Sequence, residues 1–84
     1  MASASIHILF FGPLKDIVGS DRLTVDIAEA PTGAAAFEAI AARYPELHEW
    51  KGCVRLAVNR AYTDFDQSLG SGDEVSFLPP VSGG

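Results

Sequence analysis

Polar and apolar positions along this chain fall into short blocks whose spacing switches between two and about 3.6 residues. Ile6-His7-Ile8-Leu9-Phe10-Phe11 is rich in β-branched and aromatic residues and is stopped by Gly12-Pro13, which reads as a strand. Leu14, Ile17 and Val18 stand at i, i+3 and i+4, a single helical turn closed by Gly19. Leu23-Thr24-Val25-Asp26-Ile27 alternates as a half-buried strand does. Pro31-Thr32-Gly33 opens the one substantial helix, with Thr32 as its N-cap. In that helix Phe37, Ile40, Ala41 and Tyr44 fall at i, i+3, i+4 and i+7, giving it one buried face. Pro45 disfavours the α conformation at Tyr44 and ends the helix there. Glu46 to Gly52 shows no clean period and reads as a loop carrying Leu47 and Trp50. Val54 to Val58 alternates again, Asn59-Arg60 is a turn candidate, and Ala61-Tyr62-Thr63 is strand-like. Leu69-Gly70-Ser71-Gly72-Asp73 is a second turn, and Glu74-Val75-Ser76-Phe77-Leu78 is the last strand.

One long helix among five strand-like segments predicts an α+β roll, a mixed sheet with the helix packed across one face. Side-chain alternation assigns the faces. Ile6, Ile8, Phe10, Val75 and Phe77 point towards the helix, while His7, Leu9, Phe11, Ser76 and Leu78 point away. The outer face therefore presents Leu9, Phe11 and Leu78, with Tyr62 nearby. A contiguous apolar patch on a small domain marks a partner site more often than scattered apolar residues do.

Composition narrows the class. Eighty-four residues make one small domain, residues 1–84, with a single core and little spare stability. Met1 to Ser5 reads as a disordered extension without the basic start or long apolar stretch of a signal peptide. No apolar run approaches the ~18 residues that cross a bilayer, so a soluble cytoplasmic domain is expected. A net charge of −5 argues against binding nucleic acid, which needs clustered Lys and Arg. An acidic surface suits a basic protein partner or simply keeps the domain soluble.

Catalytic constellations are mostly absent from the sequence. His7 and His48 stand far apart and in no ligand spacing with Cys53 or a carboxylate pair, so no metal site is expected. The single Cys53 excludes an internal disulfide and reads as a buried structural thiol. Gly70-Ser71-Gly72 precedes a strand and not a helix, which makes it a turn and not a phosphate cradle. Asp64, Asp66, Asp73 and Glu74 read as solvated loop charges.

The remaining candidate is the segment Pro79-Pro80-Val81-Ser82-Gly83-Gly84. Proline lacks the backbone donor and fixes φ, so a strand stops at Pro79-Pro80. Two prolines bias the exit towards an extended path, which trims the entropy of holding it out. From Pro79 the segment reaches at most ~20 Å when extended. Glycines at 83 and 84 have no Cβ, which would let the end thread a narrow channel and offer the Gly84 carboxylate to chemistry in a partner. A frayed end and a linear motif docking in a partner's groove are the other readings of this segment.

Phe10-Phe11, the Gly-Asp-Glu-Val of residues 72–75 and the ending Pro79-Pro80-Val81-Ser82-Gly83-Gly84 resemble the small subunits of molybdopterin synthase. These are ubiquitin-like β-grasp sulfur carriers, and the resemblance runs over nearly the whole chain from Ile6. It implies a protein that is no enzyme by itself and binds no cofactor of its own. An E1-like adenylating enzyme would use ATP and Mg²⁺ to convert the Gly84 carboxylate to an acyl-adenylate. A persulfide sulfur donor would then leave a thiocarboxylate on Gly84, with Gly83 giving access. The large synthase subunit, in a heterotetramer, would receive the loaded tail and pass its sulfur to cyclic pyranopterin monophosphate. By the same resemblance Phe11, Tyr62 and Leu78 are partner-binding positions, followed by Pro79, Pro80, Val81 and Ser82. Gly-Gly alone is shared with sulfur carriers for thiamine and with ubiquitin-like protein modifiers, which stand as the alternatives. The Pro-Pro-Val-x-Gly-Gly ending is more specific to the molybdopterin branch.

Overall fold

The structure is a computed structural model that describes residues 4–80. The chain runs β1 (Ser5–Phe10), α1 (Pro13–Val18), β2 (Arg22–Asp26), α2 (Gly33–Arg43), a 3-10 helix (Pro45–Trp50), β3 (Arg55–Val58), β4 (Ala61–Thr63) and β5 (Glu74–Leu78). Its five strands form one sheet in the order β2-β1-β5-β3-β4. The two central strands, β1 and β5, are parallel, with His7 opposite Glu74 and Phe10 opposite Phe77. The remaining pairs are antiparallel. Parallel neighbours need a long crossover, and here the crossover carries α2.

Alternation sets the two faces of the sheet as the residue pattern predicts. Ile6, Ile8, Phe10, Val75 and Phe77 are all buried, whereas His7 is exposed and Leu9 half-buried. Helix α2 lays Ala36, Phe37, Ile40 and Ala41 on this apolar face. Its N-terminus is closed in two ways. The Thr32 hydroxyl accepts from the Ala35 amide at 3.1 Å, which is the predicted N-cap. The segment after β4 supplies the rest: the Phe65 carbonyl accepts from Ala34 N–H at 2.7 Å and the Gln67 carbonyl from Gly33 N–H at 3.1 Å. Gly33 is needed at this junction, because a Cβ there would run into the Leu56 side chain.

Four phenylalanines tie these layers together. Phe77 lies edge-on to Phe37 with centroids 5.3 Å apart, is tilted against Phe10 at 6.0 Å and stacks on Phe65 at 6.5 Å. Each such ring buries on the order of 150–250 Å² and dominates a core this small. The arrangement is the expected α+β β-grasp: a mixed sheet holding one main helix across one face. No helix among the described residues is long and apolar enough to cross a membrane.

Two sequence expectations are corrected. Glu46 to Gly52 is not a plain loop, since Pro45–Trp50 is a 3-10 helix. Pro45 supplies its pre-set first φ, and Leu47, three residues before Trp50, is buried as its anchor. The extension assigned to Met1 to Ser5 is also shorter than expected. Ser5 opens β1 opposite Asp26, and the Ala4 carbonyl accepts from Ile27 N–H at 2.9 Å. Met1 to Ser3 lie outside the described residues.

Candidate functional site

The outer face of the sheet, away from α2, is where the predicted partner-binding residues meet. Register places Arg22, Leu9, Ser76, Ala57 and Tyr62 in one row across five strands. Leu78 faces Arg55 one step further along, and Phe11 follows the Phe10–Phe77 pair on the same side. Ser76 and Ala57 are small and buried, so the row is low in its middle and rises at its flanks. Phe11 is 43% exposed and Tyr62 is 69% exposed. Among the described residues they are the large hydrophobics the fold leaves open, and Leu78 between them is half-buried.

Strand β5 stops at Leu78, and the two prolines leave the sheet between two features of its rim. On one side Pro79 packs on Gly12, where a Cβ would stand 3.3 Å from the Pro79 ring. Gly12 has φ 57° and ψ −134°, a backbone region that glycine alone occupies readily. On the other side Pro80 borders a hollow with Gly52, Cys53, Arg55 and Tyr62. The Arg55 guanidinium lies 5.8 Å from the centroid of the Tyr62 ring, a cation over an aromatic face. The root of the C-terminal segment is thus held at two points beside the open apolar face. Val81, Ser82, Gly83 and Gly84, the other predicted site residues, lie outside the described residues.

Cys53 is exposed and not the buried structural thiol that its residue type suggested. It sits in the turn that joins the 3-10 helix to β3, its N–H donating to the Trp50 carbonyl at 2.8 Å. His7 is exposed on the outer face of β1 and His48 exposed on the 3-10 helix. Among the described residues no three His, Cys, Asp or Glu side chains come together as a metal site would require. Two carboxylates are perturbed, both by structural partners. Hydrogen bonds from Gly70 N–H and the Asn59 side chain hold Asp73 below the usual carboxylate range. A hydrogen bond from Lys51, at 2.9 Å, does the same for the exposed Glu38.

Sequence reading missed two contributors. The pattern marks Gly12 only as a strand stop, although a Gly-Pro pair after a strand also signals a turn with positive φ. Alternation marks Arg55 only as the polar member of a strand, because its placement over Tyr62 depends on the hairpin register.

The profile of the ThiS family matches residues 8–84. The chain belongs to the ThiS family. Among its relatives, the molybdopterin synthase sulfur carrier subunit of Escherichia coli (strain K12) is 40% identical over 81 residues, covering 94% of this chain and 99% of the relative. A solved protein–protein complex of subunits 1 and 2 of the molybdopterin-converting factor from Helicobacter pylori 26695 contains a chain 30% identical to this one. It aligns with a TM-score of 0.68 over 95% of this chain and 99% of that one. A putative molybdopterin converting factor, subunit 1, from Pyrococcus furiosus aligns with a TM-score of 0.82 at 25% identity, covering 94% and 100% of the two chains. The fold is that of the ubiquitin-like β-grasp proteins of this family.

Proposed function

We infer that this chain is a sulfur carrier for molybdopterin synthesis, acting as the small, non-catalytic partner of a larger synthase subunit. The observation that carries this reading is the nearly end-to-end 40% identity to a relative of that name, within a family match that continues through Gly84. The solved complex of a 30% identical relative with a second subunit supports a large-subunit partner.

In this reading the chemistry is confined to Gly84. A carboxylate is a poor electrophile until one of its oxygens becomes part of a good leaving group. An E1-like enzyme, using ATP and Mg²⁺, makes the Gly84 acyl-adenylate and releases pyrophosphate. The terminal sulfur of a persulfide donor attacks the acyl carbon and AMP departs. Reduction of the acyl disulfide by a thiol leaves the thiocarboxylate. Gly83, without a Cβ, lets the loaded end enter the large subunit, where sulfur passes to cyclic pyranopterin monophosphate. Two loaded carriers supply the two sulfurs of the dithiolene. Phe11, Tyr62 and Leu78 dock on the partner, while Pro79, Pro80, Val81 and Ser82 carry the end away from the sheet. General acid–base groups and anion stabilisation come from the partners, and the cytoplasm is where such partners would be met.

Intact-mass analysis of the protein incubated with its activating enzyme, ATP and a persulfide donor tests this. An oxygen-to-sulfur mass change mapped to Gly84 is the expected result, followed by dithiolene formation on adding the large subunit. Consistent absence of sulfur loading would overturn the reading. Stable conjugates to lysines of other proteins, without dithiolene formation, would make the chain a modifier instead.

A further inference from the structure

Net charge and local charge disagree at the outer face of the sheet. The chain carries −5 overall, which suits a basic partner. Yet two of its six cations, Arg22 and Arg55, stand on the outer face, Arg22 in the row through Leu9 and Ser76 and Arg55 in the next row, opposite Leu78 where β5 stops, while Lys15 borders the hollow beside Arg22. Arg22 stands opposite Leu9 on one side of the apolar patch and Arg55 opposite Leu78 on the other. Three strand spacings separate them, ~14 Å. Lys15 and Arg22 border one hollow together with Leu9 and Phe11. Acidic residues of this face, Glu74 and Asp26, stand opposite His7 and Ser5, one and two rows back from Arg22 and away from Arg55. Asp21 and Asp64 flank the cationic end, but neither forms an ion pair with Arg22 or Arg55 within 4.0 Å among the described residues.

Internal pairing does not account for these arginines. Lys51 is bound to Glu38 and Arg60 approaches Glu74 at 3.9 Å, whereas Arg22 and Arg55, like Arg43 on α2, form no ion pair within 4.0 Å among the described residues. Arg55 is instead held over the Tyr62 ring, which orders a charge that has no anion within 4.0 Å among the described residues. Two exposed cations on either side of an apolar centre form a complementary frame for a partner with the opposite arrangement.

We propose that Arg22 and Arg55 are specificity residues of the docking face, and that the partner seated on it presents carboxylates on both sides of an apolar centre. This rests on the sulfur-carrier reading, which supplies the partner to be used: the large molybdopterin synthase subunit of the same genome. The overall charge of the carrier makes the opposite prediction, a basic partner surface, so the sign of a charge reversal separates the two.

The experiment measures association of the full chain with that large subunit at ~50 and ~300 mM salt, by surface plasmon resonance. The carrier is compared with Arg22→Glu/Arg55→Glu and with Arg43→Glu, a control on α2. Rim charges act chiefly on association rate and its salt dependence. The double variant is expected to bind about tenfold or more weakly at low salt, mainly through a slower association, with the gap narrowing at high salt. Arg43→Glu is expected to stay within about twofold of the parent. Circular dichroism of each variant reports on folding, and the neutral pair Arg22→Gln/Arg55→Gln, expected to fall between parent and reversal, covers a reversal that fails to fold. Unchanged or tighter binding by the charge variants, beside a parent that binds, overturns this proposal alone. No binding by the parent overturns the sulfur-carrier reading and this proposal together.

Discussion

At the scale of single residues, two aromatic side chains of this fold have opposite duties. Phe77 is 1% exposed and touches three other phenylalanine rings, while Tyr62 is 69% exposed and touches Arg55. Truncating a ring in a close-packed core costs the transfer of its atoms plus the cavity left behind, about 3–5 kcal/mol for Phe→Ala. Against a total of ~5–15 kcal/mol for a native domain, Phe77→Ala removes a large share of the stability. Thermal unfolding should show a loss of roughly 12–40 °C, since each kcal/mol moves the midpoint by about 4–8 °C at this chain length. Tyr62→Ala should stay within about 0.5 kcal/mol of the parent, because its ring is already in water. Its expected deficit is instead in binding a partner on the outer face, where an exposed aromatic is a favoured anchor. Equal losses of stability for the two variants would mean that the faces of the sheet are assigned the wrong way round.

At the scale of elements, the two turns at the far end of the sheet are clasped to each other. Asn59 and Arg60 both have positive φ, 51° and 72°, as the tight turn joining β3 and β4 requires. The Asn59 side chain donates to Asp73 at 3.0 Å and accepts from Glu74 N–H at 3.0 Å, while Gly70 N–H donates to Asp73 at 2.7 Å. These donors favour the charged form of Asp73, so its pKa is lowered in the fold. A lowered pKa means stability that is complete above the ordinary value of 3.8 and is lost as pH falls through the depressed value. Asp73→Ala should therefore cost about 1 kcal/mol at neutral pH, the net worth of such hydrogen bonds, and progressively less in acid below about pH 4. Urea midpoints across that range measure it, and a deficit independent of pH would remove the carboxylate from the account. These turns were legible in the sequence because Asn-Arg and Gly-Ser-Gly-Asp punctuate alternating segments. The strands and α2 were legible for the same reason, with a period of two or 3.6 on either side of each break. The 3-10 helix was not, because a single anchor spaced three residues from Trp50 looks aperiodic when helices are sought at 3.6. Exposure of Cys53 was not legible either. It depends on where the turn after Trp50 releases the chain, which no local pattern records.

At the scale of the whole molecule, the fold and the proposed chemistry occupy separate stretches of chain. The core is assembled from residues between Ile6 and Phe77, and the described contacts closest to the chemistry are Pro79 on Gly12 and Pro80 beside Tyr62. Sheet, helix and the open apolar face are therefore complete before the glycines are reached. Outward-facing Leu78 was readable from alternation, but the contact of Pro79 with Gly12 joins positions 67 residues apart (79 − 12) and emerges only from the parallel pairing of β1 with β5. From this separation comes a prediction with two readouts that must diverge. Deleting Gly83 and Gly84 should leave the unfolding midpoint within a few degrees of the parent, in keeping with ~0.5 kcal/mol for changes remote from the core. The same deletion should abolish sulfur loading by the activating enzyme. Adding residues after Gly84 should have the same pair of effects, because under the proposed chemistry it turns the carboxylate to be activated into an amide. Affinity for the large subunit should survive in part in both variants, since Phe11, Tyr62, Leu78 and the two arginines remain in place. If loading persisted in either variant, the reactive carbonyl would lie elsewhere. If stability and loading fell together, the terminal segment would be part of the fold and not a cargo carried by it.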